Sequence, residues 1–231
     1  MKIVSTKPKK WFPQQEVKVK PHFRGWQHAV AVPLSLATAI VLTVLAPTTA
    51  TRWASFVYLA TSLLLFGISA IYHRFYWEPS WEKFWRRLDH ANIFLLIAGT
   101  YTPICVALLA PADSKFILSL VWVATILGVV FSVFWPHAPR WLISILYIAL
   151  GWVGIWYLPQ LWASGGAKVV ILVAIGGLLY TIGAVVYALK WPDPSPKWFG
   201  FHEIFHAFTV LAWVCQCIAV FFAVLSVPVT L

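Results

Sequence analysis

Charge is what this chain has least of. Asp, Glu, Lys and Arg together make up 10% of its 231 residues, while 61% are hydrophobic and the mean hydropathy is +0.81. A soluble domain carries about a quarter charged residues, so this chain cannot coat a water-facing surface, and a soluble enzyme or binding module is excluded. Alternating ten-residue segments are lacking too; the apolar runs are continuous, which excludes a membrane β-barrel. Cysteine is sparse. Cys105, Cys215 and Cys217 all fall inside apolar runs, and Cys215-Gln216-Cys217 has one intervening residue and no second pair, so these read as buried packing groups rather than a zinc knuckle.

What remains is an integral membrane protein. A bilayer core of about 30 Å needs roughly 20 apolar residues in helix. Seven stretches meet that length, near 27–47, 53–76, 90–110, 116–135, 141–162, 168–190 and 200–227. Breakers and charges separate them, among them Pro47, Pro111-Ala112-Asp113, Pro136-His137-Ala138-Pro139 and the run "WPDPSPK" at 191–197. The expected fold class is therefore all-α, a polytopic bundle of seven transmembrane helices, with 1–25 a basic tail and 26–231 the membrane domain.

Lys and Arg set the expected orientation. With the N-terminus cytoplasmic, the inner side holds the seven basic residues before position 25 plus Arg74, Lys83, Arg86, Arg87, Arg140, Lys190 and Lys197. The outer side holds Arg52, Lys115 and Lys168. This asymmetry places the N-terminus inside and the C-terminus outside, in a multi-pass protein of the cell's inner (plasma) membrane. The formal charge of +10 is explained by the tail lying against anionic lipid head groups, and no nucleic-acid partner is expected. The long basic lead-in does not read as a signal peptide. Trp53, Trp77, Trp81, Trp135, Trp141 and Trp191 fall near helix ends, as an interfacial aromatic belt requires.

Ionisable groups in spanning helices cost several kcal/mol unless paired or bound, so each is a candidate functional group. Ser69 and His73 in "SAIYHRF" lie four apart, on one face at the inner end of the second helix. Asp89 begins the third helix. His202 and His206 share a face at the start of the seventh. The topology count did not use these histidines, yet it places His73, Asp89, His202 and His206 at one depth. Three histidines with an open fourth position are a ligand set of catalytic Zn2+. Asp89 can hold a water there or take its proton, with Ser69 as a supporting donor. His28, His90 and His137 read instead as structural or interfacial groups.

The string His202-Glu203-Ile204-Phe205-His206 matches the H-E-x-x-H of zinc metalloproteases, whose Glu is the general base. Here Asp89 competes for that role. An acid in the first turn of a helix is stabilised by the macrodipole and the free N–H groups, and this helix-start role is the one expected for Glu203.

The segments "SAIYHRF", "LDHANIFLLIAGTYTPI" (88–104), "GGLLYTIGAVVYALK" (176–190) and "FGFHEIFHAF" (199–208) resemble the bacterial hemolysin III family, related to the progestin and adipoQ receptors and more distantly to alkaline ceramidases. The resemblance spans about 26–220. It implies zinc on His73, His202 and His206, with Ser69 and Asp89 as partners of the metal-bound water, and an amidase-like hydrolase acting on a lipid-type substrate. The haemolytic reputation of the bacterial branch implies a pore instead. Two positions depart from the family pattern: Pro33 interrupts where a small glycine usually follows His28, and Gln216 stands where members often carry His. Neither is an expected ligand. Three readings follow: a zinc-dependent lipid hydrolase, a non-enzymatic lipid sensor with a structural zinc, and a hemolysin-like channel. Oligomeric state is not fixed by any of them.

Overall fold

The computed structural model describes residues 20–228, and these are all-helical, with no β-strand. Residues 1–19, most of the expected basic tail, lie outside the described residues. Seven α-helices follow in order: α1 (Trp26–Leu45), α2 (Thr49–Arg74), α3 (Pro79–Leu108), α4 (Pro111–Phe134), α5 (Arg140–Trp152), α6 (Leu158–Leu189) and α7 (Phe201–Leu225), with a short 3-10 segment at Val153–Tyr157 between α5 and α6.

Local chemistry explains the helix starts. Thr48 accepts a hydrogen bond from the Thr51 amide while the Thr51 hydroxyl accepts from the Thr48 amide, a reciprocal cap on α2. Pro79 and Pro111 occupy the first position of α3 and α4, where the missing N–H costs nothing. The apolar run alone places the start of the third helix near 90, eleven residues too late. The charged stretch 79–88 is helix-compatible and simply extends α3 beyond its apolar part.

Among the described residues six stretches are long and apolar enough to cross a membrane, where the sequence suggests seven. The difference lies in Arg140–Leu189, a single apolar stretch of 50 residues. No proline or charge separates Leu161 from Lys168, so nothing forces a loop at the expected gap. Within α6 only Gly166 leaves helical geometry, at φ 73 and ψ 179, a conformation open to glycine. The second part of α6 packs beside α5: the Ser144 hydroxyl donates to the Ala184 carbonyl at 3.2 Å and the Trp152 indole to the Thr181 hydroxyl at 3.0 Å.

Sequential helices pack as neighbours, and α3 and α7 meet at the centre. One core cluster gathers Leu42, Tyr58, Phe66, Leu96, Trp213 and Val220; a second, around Phe94, Ala98, Val121 and Ile143, joins α3 to α4 and α5. Interhelical hydrogen bonds from Trp213 to Ser62 (3.1 Å), Asn92 to the Leu64 carbonyl (3.3 Å) and Tyr147 to the His90 carbonyl (2.9 Å) tie the layers. Outward faces carry exposed apolar side chains such as Val30, Val44, Val123, Leu127 and Ile171, as lipid contact requires.

Helices α2 and α3 approach closely at Gly99, where a Cβ would lie 1.9 Å from the Thr61 hydroxyl oxygen. Gly99→Val should therefore lower thermal stability in detergent by about 1–3 kcal/mol, the usual cost of overpacking. Adding Thr61→Ala should recover part of that loss. An unchanged melting temperature for Gly99→Val would contradict this packing.

Candidate metal centre

One end of the bundle gathers the polar residues. The last turns of α2 carry Ser69 and His73, the third turn of α3 carries Asp89, and the first turns of α7 carry His202 and His206. Ser69, His73, Asp89 and His206 are buried, and His202 is half-buried. Helical spacing accounts for each pair, since residues four apart stack on one face.

The three histidines converge. One ring nitrogen from each of His73, His202 and His206 lies within 4.8 Å of the other two. His73 Nε2 and His202 Nε2 are 3.2 Å apart. Two nitrogens bound tetrahedrally to one zinc at 2.0–2.1 Å stand about 3.3 Å apart, so the observed spacing suits a shared ion. The donor chemistry suits it as well, because neutral imidazoles are common zinc ligands and a nitrogen–nitrogen approach this close needs a proton or a cation between. These residues fit a metal ion; its identity is not fixed by geometry.

Asp89 faces the same nitrogen, its Oδ2 3.5 Å from His73 Nε2. Ser69 is buried one turn before His73 on the same face of α2. Four of the five residues singled out in the sequence, His73, Asp89, His202 and His206, are thus brought together, with Ser69 one turn along α2. His137 is not: it is exposed in the turn between α4 and α5. His90 lines a small cavity beside the site, with its own carbonyl bonded to Tyr147.

Glu203 is fully buried, and its carboxylate accepts from the Gly200 amide at 2.9 Å, just ahead of α7. Its other oxygen receives the Arg24 guanidinium. The carboxylate is therefore occupied by the helix start and an ion pair, as its position in the first turn suggests.

Two features were not legible beforehand. His28 of α1 stacks face to face on His206, with centroids 3.9 Å apart and planes 6° from parallel, and meets the edge of Phe66 at 5.2 Å. Both its ring nitrogens are buried without a partner among the described residues, so its role is contact with a site histidine rather than a helix–helix hydrogen bond. The second feature is a strap at residues 20–25. Lys20 Nζ donates to the carbonyls of Tyr72 (3.1 Å) and Phe75 (2.6 Å), closing the end of α2. Partial burial pulls the Lys20 ammonium below its ordinary pKa, with Glu82 opposing that shift. The amides of His22 and Phe23 donate to the Lys197 and Trp198 carbonyls, and the His22 ring stacks on Trp198. Gly25, at φ 78, brings the backbone so near α2 that a Cβ would sit 2.9 Å from the His73 Cβ. Aromatic and basic residues before a spanning helix hinted at surface contact, but nothing in their spacing pointed to the site.

Cavities continue from the centre into the bundle. A small one of about 20 Å³, lined by Asp89, His90, Tyr187 and His202, shares Ile93, Tyr147, Ala184 and Phe205 with a chamber of about 160 Å³. That chamber runs among α3, α5, α6 and α7 past Ile97, Ile104, Trp152 and Val173, with Tyr180 and Gln216 as polar groups on its wall. Gly176 leaves room for the Gln216 amide.

Fold and site define a membrane protein of multi-pass type, all-helical over the described residues, with a triad of histidines, two buried and one half-buried, that can hold a metal. A family model described as Haemolysin-III related matches residues 17–217, and the chain belongs to that family. It is similar to the "Hemolysin-3 homolog" of Bacillus subtilis (strain 168), 28% identical over 203 residues that cover 87% of this chain and 92% of the relative. It is also similar to "Hemolysin-3" of Bacillus cereus, 30% identical over 201 residues covering 86% and 89% of the two chains.

Glu203 provides a direct check on the protease-like string. Glu203→Ala should destabilise the chain by about 1–3 kcal/mol, less than a fully buried pair because Arg24 keeps some water. Glu203→Gln, which keeps an acceptor for the Gly200 amide, should cost less. Thermal unfolding in detergent reads the order; two variants as stable as wild type would contradict the structural role.

Proposed function

We propose that this protein is a zinc-dependent hydrolase of the amidase kind, acting on a lipid-type substrate within the membrane. The observation that carries the reading is the convergence of His73, His202 and His206, from two helices, with the Asp89 carboxylate 3.5 Å from His73 Nε2. His73, His202 and His206 would hold the ion. When bound, zinc supplies Lewis acidity and brings the pKa of water from 15.7 to about 7.

The chain's own residues then have separable tasks. Asp89 accepts a proton at Oδ2 and returns it to the leaving nitrogen or oxygen of the scissile bond. Ser69 orients that carboxylate, and packing by His28 limits rotation of the His206 ring. The adjoining apolar chamber takes the acyl chain and excludes water from the reacting end. Glu203 takes no part in proton transfer, which makes peptide cleavage a poor fit.

The membrane arrangement belongs to the same proposal. The 50-residue stretch crosses twice, reversing at Gly166, which gives seven crossings with the N-terminus cytoplasmic and the C-terminus outside, in the cell's inner membrane. The Lys and Arg asymmetry supports this. The metal centre would then lie near the cytoplasmic leaflet, with residues 1–19 against anionic head groups.

A second reading, a lipid sensor with a structural zinc, is favoured by one distance. Asp89 Oδ2, at 3.5 Å from His73 Nε2, is near enough to become a fourth ligand and close the site. The relatives' name, "Hemolysin-3", favours a pore, but a chamber walled mainly by aliphatic and aromatic side chains suits an alkyl chain better than ions.

Turnover of Asp89→Ala discriminates among these. On a panel of lipid amides and esters, the hydrolase reading expects Asp89→Ala to retain its metal and lose about 10²–10⁴-fold in kcat, the range for removing a general acid–base group. Loss of metal along with Asp89 would favour the structural zinc. Undiminished hydrolysis would remove Asp89 from the mechanism.

A further inference from the structure

Two cations at the same end have a buried nitrogen without a hydrogen-bond partner among the described residues, Arg87 at Nε and Arg140 at Nη1. Of these, Arg140 lies against a residue that lines the cavity at the candidate centre. Arg140 opens α5 and lays its guanidinium over the rings of Tyr187 and Phe201, at 5.1 and 5.5 Å. One of its terminal nitrogens is buried and has no hydrogen-bond partner among the described residues. Among the described residues no acid is paired with Arg140: Asp89 faces His73, Glu203 meets Arg24 and the Gly200 amide, and Asp193 accepts the Phe201 amide at 2.9 Å. A buried charged donor without an acceptor is costly, and such a group calls for a missing partner.

Its surroundings say where that partner would sit. Tyr187, which Arg140 covers, and His202, next to Phe201, line the small cavity at the metal centre. Ile143 and Ser144, one turn further along α5, line it too. Three zones therefore follow one another from the end of the bundle inward. First comes Arg140 against Tyr187, then the carboxylate and histidine that line the small cavity, then the apolar chamber that shares lining with it.

We infer that Arg140 forms an anion-binding subsite for the headgroup of the lipid substrate, an oxyanion such as a phosphate. A planar guanidinium held between two rings is fixed in orientation and offers paired N–H donors, which suits two oxygens of one oxyanion better than a point charge would. The order of zones matches an amphiphile with a single chain: anion at Arg140, scissile carbonyl beside Asp89, alkyl tail in the chamber. This rests on the lipid-substrate reading above but names what selects the lipid.

Binding to the metal-stripped, full-length protein in neutral detergent separates this inference from turnover. The probes are a lysophosphatidic acid and the monoacylglycerol with the same acyl chain. Wild type should prefer the phosphate lipid by about tenfold or more, the usual worth of a charge-assisted hydrogen bond. Arg140→Gln should lose that preference while binding the uncharged lipid as before, and Arg140→Lys should keep part of it. An undiminished preference in Arg140→Gln would overturn the subsite. Displacement of the lipid by inorganic phosphate at comparable concentration would overturn the headgroup assignment in favour of a free anion. Retained preference with no turnover by wild type would leave the subsite standing and count against hydrolysis alone.

Discussion

An ionisable side chain within an apolar helical bundle must find a partner, and that constraint organises one whole end of this protein. Three imidazoles, a carboxylate and a hydroxyl cannot be scattered through such an interior without a cost of several kcal/mol each. Gathered at one depth, they can satisfy one another and a shared cation. The helices that supply them, α2, α3 and α7, are also among the most enclosed, so the packing that buries the site is the packing that holds the fold.

The same constraint explains the layer around the site. Glu203 is tolerable in the first turn of α7 because the Gly200 amide and Arg24 meet its two oxygens. Arg24 is delivered by the strap at 20–25, which also closes the end of α2 through Lys20 and runs against the Lys197–Trp198 backbone. The strap thus bridges the two halves of the centre, His73 on one side and His202 on the other. The glutamate of an H-E-x-x-H string is here a joint between the strap and α7.

Much of this was legible in the sequence, for identifiable reasons. His73, Asp89, His202 and His206 stood out because a charged or imidazole side chain has no ordinary place in an apolar run, and helical spacing with a topology count was enough to align them. Glu203 was readable from its position alone. The division of Arg140–Leu189 was legible in place: the gap expected between 162 and 168, "ASGGA", holds Gly166, the residue of α6 that leaves helical geometry, while α5 itself ends ten residues earlier than expected, at Trp152. The early start of α3 was missed because a helix needs no hydrophobicity once it leaves the apolar layer. His28 and the strap were missed for another reason. Their roles come from contacts between residues far apart in the chain, with no local periodicity to announce them.

The central claim is that His73, His202 and His206 form one metal centre. Elemental analysis of the full chain, purified without added metal, tests it most directly. The account expects about one zinc per chain in wild type, the stoichiometry of a three-histidine site, and loss of that zinc in both His73→Ala and His206→Ala while the proteins remain folded. Near-zero zinc in wild type, or full zinc retained in both folded variants, would contradict it.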